Sequence, residues 1–446
     1  MALILQGQPA RGPPPQDPGM SDPLPQQIGK YPILRELGRG ATSVVYLARD
    51  AFANREVAIK VIKSQPVLDT DLRRRYRKVF LNEAALVGKL FHPHILAIYD
   101  AFSDDDLSYI VMEYVEGRTL EHYCDVAELL PVAKVVEIVF KCSLALAFAQ
   151  RHGVIHCDIK PANILIAQDT NIKISDFGAA QYEEAQHTYL RGIGSPAYMS
   201  PEQVQEKEVD FHTDIYSLGV VMYQMLTGKL PFRASSKASL LYQVVNIPAI
   251  PPSTFRREVS AELDRLVLRC LEKEAEARFQ SWGDFSRELT HSYRSLEVPA
   301  DTISDTEKFN ALKSLAFFKN FREQELWETL RITTWRKFLA DQPLIREGDS
   351  GDSFYIISGG EAKVSKTGRL LNILRAGDCF GEMLYFSETN TRRSTTITSL
   401  SPITVIEIKA ADLSQASDAL QKEMNKAFLR ILIDRLTWAN NRLSAA

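Results

Sequence analysis

His156-Cys157-Asp158-Ile159-Lys160-Pro161-Ala162-Asn163, followed after Ile164-Leu165-Ile166 and a turn from Gln168 to Asn171 by Asp176-Phe177-Gly178, decides how the rest of the chain reads. One carboxylate precedes a Lys and an Asn, and a second follows an apolar run. The layout suits phosphoryl transfer. Asp158 can orient an acceptor hydroxyl and take its proton, while Lys160 offsets charge on the moving phosphoryl group. Asn163 and Asp176 offer the hard oxygens that Mg2+ prefers while it keeps several waters. A polar loop between two strands would account for a lone H-x-D, but not for D-x-K-x-x-N and D-F-G in succession.

The segment resembles the catalytic loop and D-F-G triplet of eukaryotic-type (Hanks-type) Ser/Thr protein kinases, and Lys160 after Asp158 resembles the Ser/Thr rather than the Tyr branch. The likeness extends upstream. Tyr31 to Leu37 reads as a strand leading into Gly38-Arg39-Gly40-Ala41-Thr42-Ser43-Val44-Val45, where glycines let backbone N–H groups approach phosphate oxygens. Ser43 stands where the family has a third Gly. Val57-Ala58-Ile59-Lys60 matches the family's third strand, which implies that Lys60 binds the α- and β-phosphates. Glu83 shares a helical face with Val79 and Leu86, and a Lys60 ion pair would explain an acid on that face. Ser108 to Met112 reads as a strand, and Glu113-Tyr114-Val115-Glu116-Gly117 resembles the hinge between lobes. The resemblance thus implies an ATP site of Leu37, Gly38, Gly40, Ser43, Val45, Ala58, Lys60, Glu83, Met112, Glu113 and Val115.

Downstream, Val132 to His152 is apolar at helical spacing and stops at Gly153. Cys157 stands where many relatives carry the Arg that grips an activation-loop phosphate, so the chain resembles the class whose activity does not need that contact. Ser200-Pro201-Glu202 replaces the family's A-P-E, and the resemblance pairs Glu202 with Arg278. It also gives Ser195 a bond to the catalytic Asp and Lys, and makes Asp214 a buried support for the loop backbone. Thr188 and Tyr189 are hydroxyls open to phosphorylation. The likeness covers about residues 30–295.

The length of 446 residues suits two or three domains, and 45% hydrophobic content lets each bury a core. A net charge of -3 argues against bulk nucleic-acid binding. Five scattered cysteines, with no C-x-x-C pair, read as reduced thiols and point to a cytoplasmic protein. No apolar run approaches the ~20 residues of a membrane span. The opening Met1 to Gln6 lacks the basic region of a signal peptide. Residues 1–28 are rich in Pro and Gln and read as a disordered tail.

Residues 296–308 read as a linker and 309–415 as a second domain. Phe309, Leu312, Leu315, Phe317 and Phe318 form its helical entrance. From Thr333 to Ile408 short alternating runs are broken by Gly and Asp, the texture of a jelly roll. Glu347-Gly348-Asp349, Tyr355 to Gly360, Ala376 to Glu382 and Arg392-Arg393-Ser394-Thr395 together resemble a cyclic nucleotide-binding domain. That resemblance implies a site of Gly381, Glu382, Arg392, Arg393 and Ser394. Glu382 would take the ribose 2′-OH, and Arg393, or Arg392 in its place, would take the cyclic phosphate. Leu384 departs from the family's small residue, and the spacing from acid to Arg is slightly long. A barrel kept for dimer contacts or for folding back on the kinase is the other reading.

Residues 416–446 place Leu420, Met424, Ala427, Phe428, Ile431, Leu432 and Leu436 at helical intervals. This helix could cover the barrel mouth, pack on the kinase or pair with another copy as a homodimer.

The expected architecture is α+β: a two-lobed protein kinase fold, then a jelly roll of the cyclic nucleotide-binding kind with flanking helices. The expected function is a Ser/Thr protein kinase using ATP and Mg2+ on protein substrates, with cAMP or cGMP as effector. An ATP-binding scaffold without transfer activity is the alternative, disfavoured because Lys60, Glu83, Asp158, Asn163 and Asp176 are all present.

Overall fold

Alternating apolar residues in the first strands create two sheet faces, and only one of them is filled by core. The computed structural model describes residues 24–40, 43–62, 84, 87–104, 107–167, 171–177, 181–182, 195–294, 303–386 and 392–444. The chain divides into two units at Val298/Pro299. In the first unit β1 (Gln27–Ile28), β2 (Tyr31–Arg39), β3 (Ser43–Asp50), β4 (Arg55–Ile62), β5 (Ile98–Ser103) and β6 (Ser108–Glu113) form an antiparallel sheet in the order β1-β2-β3-β4-β6-β5. Its core face carries Ile28, Tyr31, Val44, Tyr46, Ala48, Val57, Ile59, Tyr109 and Val111.

β1 corrects the expected tail boundary. Residues 1–23 lie outside the described residues, but Gln27 and Ile28 pair with Pro32 and Tyr31. Ile28 is 6% exposed, and burying it offsets the cost of ordering the segment. Gly29 makes the turn at φ +55, where a Cβ would lie 2.2 Å from the Tyr109 hydroxyl.

Below the sheet, β7 (Arg118–Thr119), β8 (Val154–Ile155), β9 (Ile164–Ile166), β10 (Ile172–Ile174) and β11 (Gln181–Tyr182) frame the loops. α1 (Val132–Arg151) runs into β8. α2 (Pro201–Val204) is short and closed by a capping box between Ser200 and Gln203. α3 (Phe211–Thr227) is buried on nearly every side. A helix apolar all round belongs in the middle of a domain, and α3 forms the floor under the catalytic loop. α4 (Lys237–Asn246), α5 (Ala261–Cys270) and α6 (Trp282–Arg294) complete the helical lobe.

In the second unit α7 (Asp305–Ser314) begins within the expected linker: Ser304 caps it and forms a capping box with Glu307. The cap starts the helix and Phe309, buried one turn further on, ties it to the domain. α8 (Glu323–Arg331) follows. Two antiparallel four-stranded sheets form the barrel. One runs β12 (Thr333–Phe338), β19 (Ile403–Lys409), β14 (Ser353–Gly359), β17 (Cys379–Phe380). The other runs β13 (Pro343–Ile345), β18 (Thr396–Ser399), β15 (Ala362–Lys366), β16 (Arg369–Leu374). Ile357, Ala362, Leu374, Phe380, Ile397, Ile403 and Val405 fill the space between them. α9 (Met383–Phe386), α10 (Ala410–Ser414) and α11 (Asp418–Ser444) flank the sheets. Phe428 anchors α11, its ring lying 5.0 Å from Phe354 and 5.5 Å from Phe317.

Candidate active site

β8 ends at Ile155 and the catalytic loop begins. Cys157 (φ +62) and Asp176 (φ +59) both adopt left-handed backbone, which is uncommon outside Gly and needs outside support. Asp214 on α3 supplies it for the first, accepting the His156 N–H at 2.8 Å and the Cys157 N–H at 2.9 Å. Burial pushes the Asp214 carboxyl above its ordinary range, with His156 and the two N–H groups pulling against it. Gln203 fixes the Cys157 carbonyl at 2.8 Å. His156 is buried: its Nδ1 accepts from Asp158 N–H at 3.2 Å, so its Nε2 donates to Ser175 O at 3.0 Å. One ring thus ties the catalytic loop to the segment carrying Asp176.

Within the loop, Lys160 Nζ lies 2.6 Å from Asp158 Oδ2 and Asn163 Nδ2 donates to the same oxygen at 3.1 Å. Both bonds use Oδ2, which leaves Oδ1 for an acceptor hydroxyl. Asn163 Nδ2 also donates to Asp158 O at 2.9 Å, which turns the amide oxygen the other way. Ser195, expected to join this group, makes no bond to Asp158 or Lys160 among the described residues.

Across the cleft, the residues of β3, β4 and β6 that alternate with the core set share the opposite face. Among them are Val45, Ala58, Lys60 and Met112. Register places Gly38 beside Val45, Val45 beside Lys60, and Ala58 beside Met112. The expected nucleotide residues therefore line one face, with half-buried Leu37 preceding Gly38. Gly40 N–H donates to Ser43 O at 2.7 Å, where the two strands meet at the Gly-rich segment. Lys60 Nζ reaches Asp176 Oδ1 at 2.6 Å. Enclosure works to raise the Asp176 carboxyl's pKa, but the Lys60 ammonium outweighs it and the net shift is downward. Glu83, the partner expected for Lys60, lies outside the described residues, as do Thr188, Tyr189 and Gly178. Asn163 and Asp176 supply hard oxygens, a donor set that fits Mg2+. At the hinge Glu113 N–H is committed to Ala97 O at 2.9 Å, so a base edge would meet the Glu113 carbonyl and the backbone of Val115.

Glu202 and Arg278 pair as expected, at 2.8 and 2.9 Å.

In the second unit Glu382 and Arg393 are both buried. Arg393 donates to Ser353 O at 2.7 Å and to Gly381 O at 3.4 Å, and lies over the Tyr355 ring. Gly351 and Gly381 give it room: a Cβ on either would come within 2.4 or 2.5 Å of the guanidinium. Arg392 is exposed and reaches Gly348 O at 3.4 Å. Ser394 follows the buried Arg at the surface. The side chain of Leu384 lies outside what is described.

Three residues went unread in the sequence, and a fourth, Gly117, was read only as part of the hinge. Leu47 lies on the nucleotide face beside Ala58, and strand parity could have found it. Gly117 ends the hinge, and a Cβ there would meet Ile166 O at 2.1 Å. Lys173 on β10 pairs with Glu113 at 2.8 Å. Arg435 on α11 holds Glu382 Oε1 at 2.6 Å and also donates to the Cys379 carbonyl. No local signal marks the last two, whose partners are distant in sequence.

Comparisons with known proteins match both units of the chain. The protein kinase domain family matches residues 31–293, and the chain belongs to that family. The cyclic nucleotide-binding domain family matches residues 335–419. A probable serine/threonine-protein kinase of Clostridium acetobutylicum is 35% identical over 293 residues, 65% of this chain and 43% of its own. The serine/threonine-protein kinase PknB of Mycobacterium leprae is 38% identical over 299 residues, 65% of this chain and 47% of its own. PknB of Mycobacterium tuberculosis is 36% identical over 297 residues, 64% of this chain and 47% of its own. The chain thus spans less than half the length of these relatives.

Proposed function

We propose that the chain transfers the γ-phosphate of ATP to Ser or Thr hydroxyls of protein substrates, and that its second unit senses a cyclic nucleotide. The observation that carries the first part is Asp158, held through Oδ2 by Lys160 and Asn163 with Oδ1 uncommitted. Oδ1 takes the proton of the acceptor hydroxyl as its oxygen bonds to phosphorus. The bond to the β–γ bridging oxygen breaks, and ADP leaves with the electron pair. Lys160 balances the charge carried by the phosphoryl oxygens, and Lys60 holds the nonreacting phosphates. Mg2+, held by Asn163 and Asp176, would supply charge neutralisation at the phosphates. The test is ATP-dependent phosphorylation of self and of a generic substrate, with and without cAMP or cGMP. Absence of transfer by the full chain would leave the scaffold reading.

Activity should not depend on activation-loop phosphorylation. Cys157 is a buried thiol whose N–H goes to Asp214 and whose carbonyl goes to Gln203, so it offers no cation to a loop phosphate. Phosphatase-treated enzyme is expected to keep its rate. Complete loss on treatment would contradict this and assign the anchoring role to another cation.

For the second unit, charge supports the sensor reading. Arg435 neutralises Glu382, while Arg393 bonds only neutral carbonyls, those of Ser353 and Gly381, which leaves its charge to suit a monoanionic phosphodiester. A charge-assisted bond from Arg393 is worth about 1.5–3 kcal/mol, so Arg393→Ala should weaken cyclic nucleotide binding about 10- to 150-fold. Calorimetric titration of the full chain with cAMP and cGMP reads this, and no heat at millimolar ligand would sink the sensor. That outcome would favour assembly through α11, where Leu429, Ile433 and Leu436 form an exposed row that a second copy could cover. No described helix is long and apolar enough to cross a membrane. All five cysteines are free and buried, which supports a cytoplasmic location.

A further inference from the structure

We propose that Lys173 is a positioning residue for ATP: its ion pair with Glu113 fixes the backbone that meets the base relative to the strand that carries Asp176. The proposal rests on the kinase reading above.

Three segments converge on one carboxylate. Glu113 Oε2 takes Lys173 Nζ at 2.8 Å and the Ala97 N–H at 3.3 Å, while Glu113 N–H donates to Ala97 O at 2.9 Å. The segment ending at Ala97 is bound to β10 in turn. Ile174 N–H donates to His94 O at 2.9 Å, and Leu96 N–H to Ile174 O at 2.8 Å. β10 then leads through Ser175 into Asp176. The base end and the phosphate end of the nucleotide site are therefore connected through a short, closed circuit, and Lys173 is the side chain that closes it.

An ordinary surface pair would do little. This one differs in placement. Ile172 and Ile174 turn inward and Lys173 takes the other face of β10, yet its side chain is only 19% exposed and that of Glu113 26%. The hinge also has no slack on its far side. Gly117 presses so closely on Ile166 that a Cβ would lie 2.1 Å from the Ile166 carbonyl oxygen. Contact with β9 and the tether to β10 thus hold the hinge at two points. Without Lys173 the Glu113 carboxylate keeps only a long bond to a neutral N–H and can swing to solvent, and the backbone carbonyl beside it follows.

This mechanism moves ATP binding and not chemistry, because Asp158 and Lys160 belong to a different loop. In the full-length chain Lys173→Met should raise KM for ATP about five- to tenfold and leave kcat within about twofold. Lys173→Arg should restore most of the loss, since a guanidinium can reach the same carboxylate. Lys173→Met/Glu113→Gln should be no worse than the poorer single variant, because both remove the same contact. ATP affinity measured by calorimetry should fall in parallel with KM. A lowered melting temperature with unchanged KM and ATP affinity would overturn the proposal and make the pair structural only. Additive effects in the double variant would overturn it as well. Calorimetry needs no turnover, so a chain that binds ATP without transferring phosphate would defeat the kinase reading while still testing Lys173.

Discussion

Asp158→Asn is expected to lower kcat about 10²- to 10⁴-fold while ATP affinity stays within about twofold. The substitution is nearly isosteric, and the asparagine oxygen can still receive Lys160, which now sits 2.6 Å from Oδ2. The loop should therefore keep its shape. What changes is the second position of the side chain. In the native protein it is a carboxylate oxygen able to take a proton; in the variant it is an N–H2 that can only donate. A hydroxyl placed there loses its base and meets a competing donor. ATP affinity is spared because the groups facing the nucleotide, Lys60 and the hinge backbone, come from β4 and β6. Single-turnover phosphorylation beside an ATP titration separates the two effects. A variant that phosphorylates at near the native rate would mean that the base has been placed wrongly.

The catalytic loop was legible because its chemistry is contiguous. Asp158, Lys160 and Asn163 lie within one short loop, and Asp176 follows a single strand pair, so spacing alone brings them near one another. The nucleotide face was legible for a different reason: alternation along β3 and β4 puts Val45, Ala58 and Lys60 on one side whatever the rest of the fold does. Glu202 with Arg278, and Asp214 under the loop, were reached through the family resemblance. The contacts that escaped reading join segments with no shared periodicity. Lys173 and Glu113 meet across 60 positions, and Arg435 and Glu382 across 53. A lysine between two isoleucines on a strand reads as a solvent-facing residue until the hinge is seen beside it. The same holds for Arg435, one of several charged residues on a long amphipathic helix. Boundaries moved for local reasons: burial of Ile28 before the first long strand, and the Ser304 cap that starts α7, drew residues out of the expected tail and linker.

Arg278→Met should destabilise the first unit by about 3–5 kcal/mol, because it leaves the largely enclosed Glu202 carboxylate without its cation. Arg278 is fully buried, and all five of its N–H donors are used. Two go to Glu202 at 2.8 and 2.9 Å, and three to the carbonyls of His212, Glu272 and Lys273. Methionine fills much of the volume but satisfies none of these oxygens. At about 2–4 °C per kcal/mol for a domain of this size, the melting transition should fall by about 6–20 °C. The pH dependence gives the loss a signature. In the native protein burial works to raise the Glu202 carboxyl's pKa, but the bonds from Arg278 outweigh it and hold it below the usual range. A depressed folded pKa means that the pair's contribution is full above the ordinary carboxylate range and is lost as pH falls through the folded value. In the variant the sign reverses. A buried carboxyl without a cation takes up a proton more readily than in the unfolded chain, so its cost is greatest near neutrality and shrinks as pH falls. The gap in melting temperature between native and variant should therefore narrow between pH 7 and about pH 5. Adding Glu202→Gln to Arg278→Met removes the orphaned charge and should recover part of the loss at pH 7 but little at pH 5. A gap that stays constant with pH, or a double variant no more stable than Arg278→Met at pH 7, would show that the lost carbonyl bonds, and not the stranded Glu202 charge, set the cost.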